Sequence, residues 1–323
     1  MNIALVIDSQ LPALLYGGTE RVVWGLMRAL KARGHKLWLL APKGTACPFA
    51  EVIVRDEQLP IEAQVPKEVD LVHFHVPIAR PYPQPHVITI HGNSLATVVS
   101  NNYIFVSKQH AARFGVDSYV WNGLNWDDYP TPSLTQPRSH YHFLGKAAWR
   151  LKNLKGAIDT IHAIPKGHLD VLGGHRLNLK MGFRFTLSPR VHFYGMVGND
   201  KKAQVMQRSK GLVFPVRWHE PFGLAVIESL YYGAPVFATP YGSLPELVQS
   251  EVGFLSDNHH TLATHIQHAH YEPKLCHDYV TDLFSAERMA TDYLAKYEQV
   301  LSGHNLCAQP PHAPTLESAL PWA

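Results

Sequence analysis

The stretch Phe214-Pro-Val-Arg-Trp-His-Glu-Pro-Phe-Gly-Leu-Ala-Val-Ile-Glu-Ser229 joins the end of one element to the start of another. Gly211-Leu-Val-Phe214 is short and apolar, as a buried strand is. A helix is expected to begin near Phe222, with Pro221 where helix starts favour it. A strand running into a helix through a short loop is the repeating joint of α/β proteins. The N-terminus of such a helix offers N–H groups and the positive end of its dipole to an anion. Gly223 lets a ligand come close to the backbone, which suits a diphosphate. Two carboxylates frame this point. Glu220 precedes the helix, and Glu228 lies about 9 Å along its axis. Carboxylates aimed at a diphosphate would repel it. They fit if each accepts hydrogen bonds from hydroxyls on either side, a sugar at one end and a ribose at the other. By spacing alone, a dipole complement at Glu220 and an ordinary helix residue at Glu228 fit equally well.

Outward from this joint the same alternation runs in both directions. Towards the N-terminus, Ile3–Ile7, Lys36–Ala41, Asp70–His75, His86–His91, Ile104–Ser107 and Ser118–Trp121 read as strands. A helix over 19–33 carries Val22, Val23, Leu26, Met27 and Leu30 on one face and stops at Gly34. The segment 129–140, rich in Pro, Ser and Thr, reads as a linker. Strands then resume at 141–144, 169–172, 191–194 and 235–238, with helices over 153–164 and 222–232. Helix 285–301 comes last. The class is α/β, with two doubly wound parallel sheets. Ligands in such folds sit at the carboxyl ends of the strands, so a cleft between two domains is expected. The boundaries read as 1–135 and 136–284, a helix at 285–302 returning to the first domain, and a loose tail over 303–323.

With 323 residues, 46% hydrophobic and 17% charged, the chain is ordinary for a soluble protein of about two domains. A formal charge of +3 is too small to argue for nucleic acid. Cys47, Cys276 and Cys307 are too few and too widely spaced for a disulfide framework. Free thiols suit the cytoplasm. The start of the chain does not read as a signal peptide, and no apolar run reaches membrane-spanning length. Arg21, Arg28, Lys31 and Arg33 on the first helix leave peripheral contact with an anionic inner membrane face open, although a solvated helix face fits them better.

The segment Glu220–Glu228 resembles the E-x7-E motif of retaining GT-B glycosyltransferases, above all glycosyltransferase family four. The resemblance runs from about Met1 to Leu301. Its motifs are Gly17-Gly18, Asp70–His75, Thr89-Ile-His-Gly92, Phe105-Val-Ser107, Trp121-Asn-Gly123, Phe143-Leu-Gly-Lys146 with Lys152, Val191–Gly195, Thr239–Glu246 and Gly253-Phe-Leu255, in the family's order. It implies a GT-B fold of two Rossmann-like domains. The first would shape the acceptor site; the second would bind a nucleoside-diphosphate sugar. It further implies that Glu220 holds donor-sugar hydroxyls. Phe222, Gly223 and Leu224 would offer N–H groups to the diphosphate, and Glu228 would hold the ribose. Lys146 and Lys152 would neutralise the departing phosphate, with Lys155 an alternative. Gly17, Gly18, Gly195 and Met196 would line the donor site, and His91 the reaction centre. The family usually has Arg at the place of Lys146, and Lys lacks the bidentate fork. His73 and His75 share a sheet face and read as structural.

The resemblance implies transfer of a hexose to a hydroxyl acceptor with retention. The donor expected first is UDP-sugar, then GDP-mannose. No cofactor and no metal is required. The acceptor is a glycan, a lipid-linked sugar or a small molecule. A sugar-nucleotide-binding partner protein without activity and a sugar-nucleotide epimerase remain alternatives, since fold does not dictate reaction. His259, His260, His265, His268 and His270 cluster in sequence, but no carboxylate or cysteine completes a metal site there.

Overall fold

A computed structural model describes residues 1–13, 17–95, 97–179, 181, 183–315 and 319–323. In chain order the elements are β1 (Asn2–Val6), α1 (Gly18–Ala32), β2 (Lys36–Ala41), β3 (Glu51–Val54), β4 (Leu71–Phe74), β5 (His86–Ile90), β6 (Tyr103–Phe105) and α2 (Lys108–Arg113). Then come β7 (His140–Leu144), α3 (Leu154–His162), β8 (Leu169–Leu172), β9 (Leu177–Asn178), β10 (Arg184–Phe185), β11 (Val191–Phe193), α4 (Asn199–Met206) and β12 (Ser209–Phe214). The last are α5 (Leu224–Tyr231), β13 (Val236–Ala238), α6 (Leu244–Leu247), β14 (Gly253–Leu255), α7 (His259–His268), α8 (Pro273–Leu283) and α9 (Ala286–Leu301).

The chain divides into two compact units, 1–125 with 284–316 and 126–283 with 317–323. The first holds a parallel sheet in the order β3-β2-β1-β4-β5-β6. Its strands are apolar on both faces: Ile3, Ala4, Leu5 and Val6 have no exposed surface, and neither do Leu39, Leu40 and Ala41. Continuous burial of this kind is what helices on both faces of a parallel sheet demand. α9 packs on α1 and β5. The tyrosines of α9 reach into the sheet, Tyr297 to His73 and Tyr293 to Thr89.

The second unit repeats that order with β11-β8-β7-β12-β13-β14, all parallel. One sheet face buries Tyr141, Phe143, Leu169, Val171, Val213 and Phe237 against α3 and α7. β9 and β10 form a separate antiparallel ribbon. In both sheets the chain leaves the first strand towards one edge and later returns to its other side. The crevice opened by that reversal lies between β1 and β4, and between β7 and β12.

Three expectations need correction. Ser118–Trp121 is not a strand. It makes one bridge, Phe105 to Tyr119, because the chain leaves the sheet edge there. The second unit begins at Trp126 rather than 136. The Trp126 ring stacks on Tyr231 at 4.4 Å and 6°, which ties the start of the expected linker to α5. The tail is tied down rather than loose. The amides of Cys307 and His312 bond the carbonyls of Asn101 and Phe114, and those of Leu320 and Ala323 bond Arg217 and Asp257. Residues 316–318 of that tail lie outside the described residues.

Candidate functional site

β7 and β12 flank the crevice of the second sheet, and the loops that follow them meet. After β7 the chain passes Gly145 and Lys146, makes a 3-10 turn over Arg150–Lys152, and enters α3. Asn153 takes the left-handed conformation at φ 54, which asparagine tolerates, and its side chain caps the helix by accepting from the Gly156 amide. Its amide group also donates to the Pro215 carbonyl in the loop after β12. One residue thus starts α3 and fastens the two loops together.

That fastening brings Lys152 to Glu220. Lys152 Nζ is 2.7 Å from Glu220 Oε2, and the two side chains are 11% and 9% exposed. The Trp218 indole donates to the same oxygen at 2.8 Å. The ammonium lies 4.9 Å from the centre of the Trp218 ring, 5.0 Å from Phe214 and 5.7 Å from Trp149. Aromatic faces hold a cation in place without neutralising it. Among the described residues, Oε1 of Glu220 has no hydrogen-bond partner. One carboxylate oxygen is therefore fixed by protein and the other is available.

Glu220 itself is pinned from behind. Gly242, at φ 64, lies so close that a Cβ there would sit 2.3 Å from the Glu220 carbonyl oxygen. The Ser243 amide bonds that carbonyl, and the Ser243 hydroxyl donates to the Phe222 carbonyl at 2.5 Å. Gly223, left-handed at φ 100, turns the chain into α5, and no side chain caps this helix. The first N–H groups of an α-helix have no partner within the helix, so an uncapped start at Gly223 and Leu224 points positive potential at the crevice. Phe222 is buried beneath it.

Within α5, Glu228 is only 3% exposed and pairs with Lys202 of α4 at 2.5 Å. Lys202 also lies over the Tyr129 ring at 5.6 Å. A helix residue facing solvent is therefore the wrong picture for Glu228, and sequence reading missed Lys202. The two residues are 26 positions apart on different helices, and no local spacing couples them. Lys155 is exposed and pairs with Asp159 one helical turn on; Lys146 is also exposed. Of the three candidate lysines, only Lys152 is gathered to Glu220.

Beside the crevice, three glycine turns close over the ends of β7, β8 and β11. Gly145, Gly173 and Gly195 have φ of 155, 115 and 70. Gly173 donates to the Gly195 carbonyl at 2.7 Å, and Gly195 to that of Gly174 at 3.1 Å. A Cβ on Gly173 would lie 2.2 Å from the Gly145 oxygen. Met196, next to Gly195, is exposed.

In the first unit Gly17 precedes α1, and Gly18 begins it. His91 directly follows β5, with part of its surface exposed. His75 Nδ1 is 2.9 Å from His91 Nε2, and the two rings stack at 5.2 Å. The His73 ring is 3.9 Å from that of His75. Its own nitrogens are taken by Tyr297 and Thr89, both at 2.7 Å. Burial pushes His91 down to about 4, and burial together with the neighbouring imidazoles holds His73 and His75 well below the usual histidine range. All three are neutral at pH 7. His75, read from sequence as structural, is the residue that orients His91; the period-two spacing of 73 and 75 put them on one face but did not point to β5.

The model of "Glycosyl transferases group 1" matches residues 142–282. D-rhamnosyltransferase WbpZ of Pseudomonas aeruginosa is 24% identical over 288 residues, 70% of this chain and 74% of that protein. An uncharacterized 41.2 kDa protein in the cps region of Klebsiella pneumoniae is 30% identical over 116 residues, 33% of this chain. That match spans about a third, 32%, of the Klebsiella protein's length. Among solved structures, AviGT4, a glycosyltransferase involved in avilamycin A biosynthesis, aligns with a TM-score of 0.74 at 21% identity, over 94% of this chain and 98% of that one. Anabaena Alr3699/HepE in complex with UDP-glucose aligns with a TM-score of 0.65 at 17% identity, over 94% and 100%. These likenesses establish the fold, GT-B.

Proposed function

We propose that the chain is a group 1 glycosyl transferase, an enzyme that transfers a sugar from a nucleotide-sugar donor, as the match of residues 142–282 to that family supports, and that the crevice between β7 and β12 is where it holds that donor. The Lys152–Glu220 pair beside the uncapped start of α5 carries this reading. It sets a cation, a helix N-terminus and one available carboxylate oxygen at a single point. The diphosphate meets Lys152 and the N–H groups around Gly223, and Oε1 of Glu220 accepts from hydroxyls of the sugar. Glu228, held by Lys202, accepts from the ribose. Gly195 and Met196 border the base. Gly17, Gly18 and His91 belong to the first unit, and their proposed roles, Gly17 and Gly18 at the donor and His91 at the reacting sugar, rest on the family resemblance alone.

Departure of the nucleoside diphosphate builds negative charge on the phosphate and positive charge on the sugar. Lys152 and the helix start are already oriented to the first, so little reorganisation is needed as it develops. Lys152 leaves its contact with Glu220 partly for phosphate, and Glu220 then turns to the sugar. His91 is neutral, so it orients a hydroxyl by hydrogen bonding rather than by charge. The acceptor hydroxyl attacks from the face the phosphate leaves, its proton passing to an oxygen of the departing phosphate as the sugar–phosphate bond breaks, so the configuration is retained. No metal ion enters this scheme. UDP-hexose is the donor proposed first, by analogy with the UDP-glucose complex of HepE, and GDP-mannose second.

The test is donor consumption by the wild-type chain and by Lys152→Met, with a panel of glycan, lipid-linked and small hydroxyl acceptors. Acceptor-dependent release of nucleoside diphosphate, lost in the variant, is the expected result. Conversion of the donor to another nucleotide sugar with no acceptor present would mark an epimerase instead. Tight donor binding with no turnover on any acceptor would mark a binding protein.

A further inference from the structure

Away from this crevice, three parallel strands of the second unit bring two histidines and an aspartate together. His140 is the first residue of β7, Asp170 the second of β8, and His192 the middle of β11. Their strands lie side by side, and His192 is in register with Asp170. His140 Nδ1 lies 3.3 Å from Asp170 Oδ2, and His192 Nδ1 lies 3.5 Å from Asp170 Oδ1. The three ligand atoms all lie within 4.8 Å of one another.

Both separations are long for an N–H···O hydrogen bond. They are close to the roughly 3.3–3.4 Å that separates two ligand atoms on one tetrahedral zinc, each about 2.0–2.1 Å from it. The Asp170 side chain is 9% exposed, and its Oδ1 is buried without a hydrogen-bond partner. The His168 ring stacks on His140 at 5.1 Å and on His192 at 6.1 Å, walling one side. His140 and His192 are 36% and 45% exposed, so the site opens to solvent. We propose that His140, Asp170 and His192 form a binding site for a zinc-type divalent cation, with water completing its coordination. An imidazole–imidazole–carboxylate set is borderline in softness, which selects zinc, cobalt or nickel over magnesium or calcium.

His140 stands at the start of β7, and the proposed donor crevice lies beyond the other end of that strand. The ion therefore clamps three strands of the sheet and takes no part in transfer. The experiment uses the full chain stripped with chelator and titrated with cobalt(II), read by its visible absorbance, and with zinc, read by calorimetry. One tight equivalent with a tetrahedral cobalt spectrum is expected, together with a rise in unfolding temperature on adding zinc. His192→Ala, on a partly exposed edge-strand residue, lowers affinity by at least about tenfold and leaves apo stability unchanged. Asp170→Asn does the same. His259→Ala/His260→Ala, in the histidine-rich segment elsewhere, has no effect. Absence of uptake at micromolar metal, or uptake unchanged by His192→Ala and Asp170→Asn, overturns the site.

A second observation stands independently. In the ribbon of β9 and β10 and its flanks, Leu177, Leu179, Met181, Phe183, Phe185 and Leu187 alternate at every second position, each between 50% and 79% exposed. They are six of the thirteen large apolar residues exposed among the described residues, gathered into eleven positions, whereas soluble surfaces scatter such residues singly. The guanidinium groups of the intervening Arg176 and Arg184 fold back onto backbone carbonyls of Thr186, Ser188, Val191, Ala147 and His175. From Val171 to Asn199 the chain has Arg176, Lys180, Arg184 and Arg190 and no Asp or Glu. The geometry points to an anionic bilayer surface as the occupant: the apolar ridge enters the headgroup layer, and the acid-free sequence around it, whose guanidinium groups bond only neutral carbonyls and so keep their charge, gives that face a positive sign. Co-sedimentation tests this with vesicles of phosphatidylcholine alone and vesicles containing phosphatidylglycerol. The wild type should pellet with the anionic vesicles, less so at high salt, and Phe183→Ser/Leu187→Ser should stay in the supernatant with its unfolding temperature unchanged. Wild type left in the supernatant, or a variant that pellets equally, removes the proposal. Loss of a dimer in the variant on sedimentation, without a change in vesicle binding, assigns the ridge to a second copy of the chain.

Discussion

Asn153 binds both halves of the candidate donor site: its side-chain oxygen accepts from Gly156 at the start of α3, and its side-chain nitrogen donates to Pro215 beyond β12. One left-handed residue thereby sets the distance between Lys152 and Glu220. Asn153→Ala removes the cap and the fastening together. We expect a loss of about 1–2 kcal/mol in stability for the cap alone, and a fall in donor affinity larger than that stability loss explains. Urea unfolding and nucleoside diphosphate titration of the same variant separate the two.

Breaking the Lys152–Glu220 pair from one side leaves a buried charge. Lys152→Ala is expected to cost about 3 kcal/mol in stability, and to lower both turnover and affinity for the nucleoside diphosphate. Lys152→Met/Glu220→Gln removes both charges and should recover much of that stability while remaining inactive. Equal stability of the single and double variants, by chemical denaturation, would show that the pair is not coupled.

The Lys202–Glu228 pair makes a separate prediction. If Glu228 holds the ribose, Glu228→Gln weakens binding of a nucleoside diphosphate but hardly changes binding of its 2′,3′-dideoxy form. Lys202→Met should have the same signature. Equal losses for both ligands would place the effect in the phosphates or the fold.

The glycine clasp is testable by contrast. Gly173→Ala puts a Cβ against the Gly145 oxygen at a φ of 115 and is expected to destabilise by about 3 kcal/mol. Gly198→Ala meets nothing within 4 Å and should be nearly neutral. Thermal unfolding of the two variants decides it.

The buried histidines fix the sign of the acid response. His91 titrates near 4 when folded and near 6.5 when unfolded, so between these values the unfolded chain binds more protons. Its contribution to stability is complete above about pH 6.5 and declines as the pH falls towards 4, by up to about 3 kcal/mol. His73 and His75 act in the same direction. His91→Asn should flatten the fall in unfolding temperature between pH 6.5 and 4; a slope equal to that of the wild type would contradict this.

Much of the fold was legible because buried parallel strands such as Ile3–Ile7 and Leu169–Leu172 are continuous apolar runs bounded by turns. Ser118–Trp121 had the same look but lies where the sheet ends, and strand pairing is decided by neighbours that sequence does not show. Gly223 and the carboxylates at 220 and 228 stood out as candidates because they are spaced around one helix start, a feature that local sequence shows. Lys202, His75 and the trio His140, Asp170 and His192 did not. Each acts through a partner on another strand or helix, 16 to 30 residues away or more, and only the sheet order brings them together. The histidine-rich segment 259–270 drew attention instead. There His265 is spent on the Tyr271 hydroxyl and on stacking with Phe254 at 3.8 Å.

The central claim is that the crevice between β7 and β12 binds a nucleoside diphosphate through Lys152, Glu220 and the start of α5. Calorimetric titration of UDP and GDP into the wild type and Lys152→Met measures it most directly. Saturable binding of at least one of them by the wild type, weakened by at least about tenfold in the variant as expected for a lost charge-assisted contact, is the predicted result. Binding of neither, or binding that Lys152→Met leaves unchanged, would contradict it.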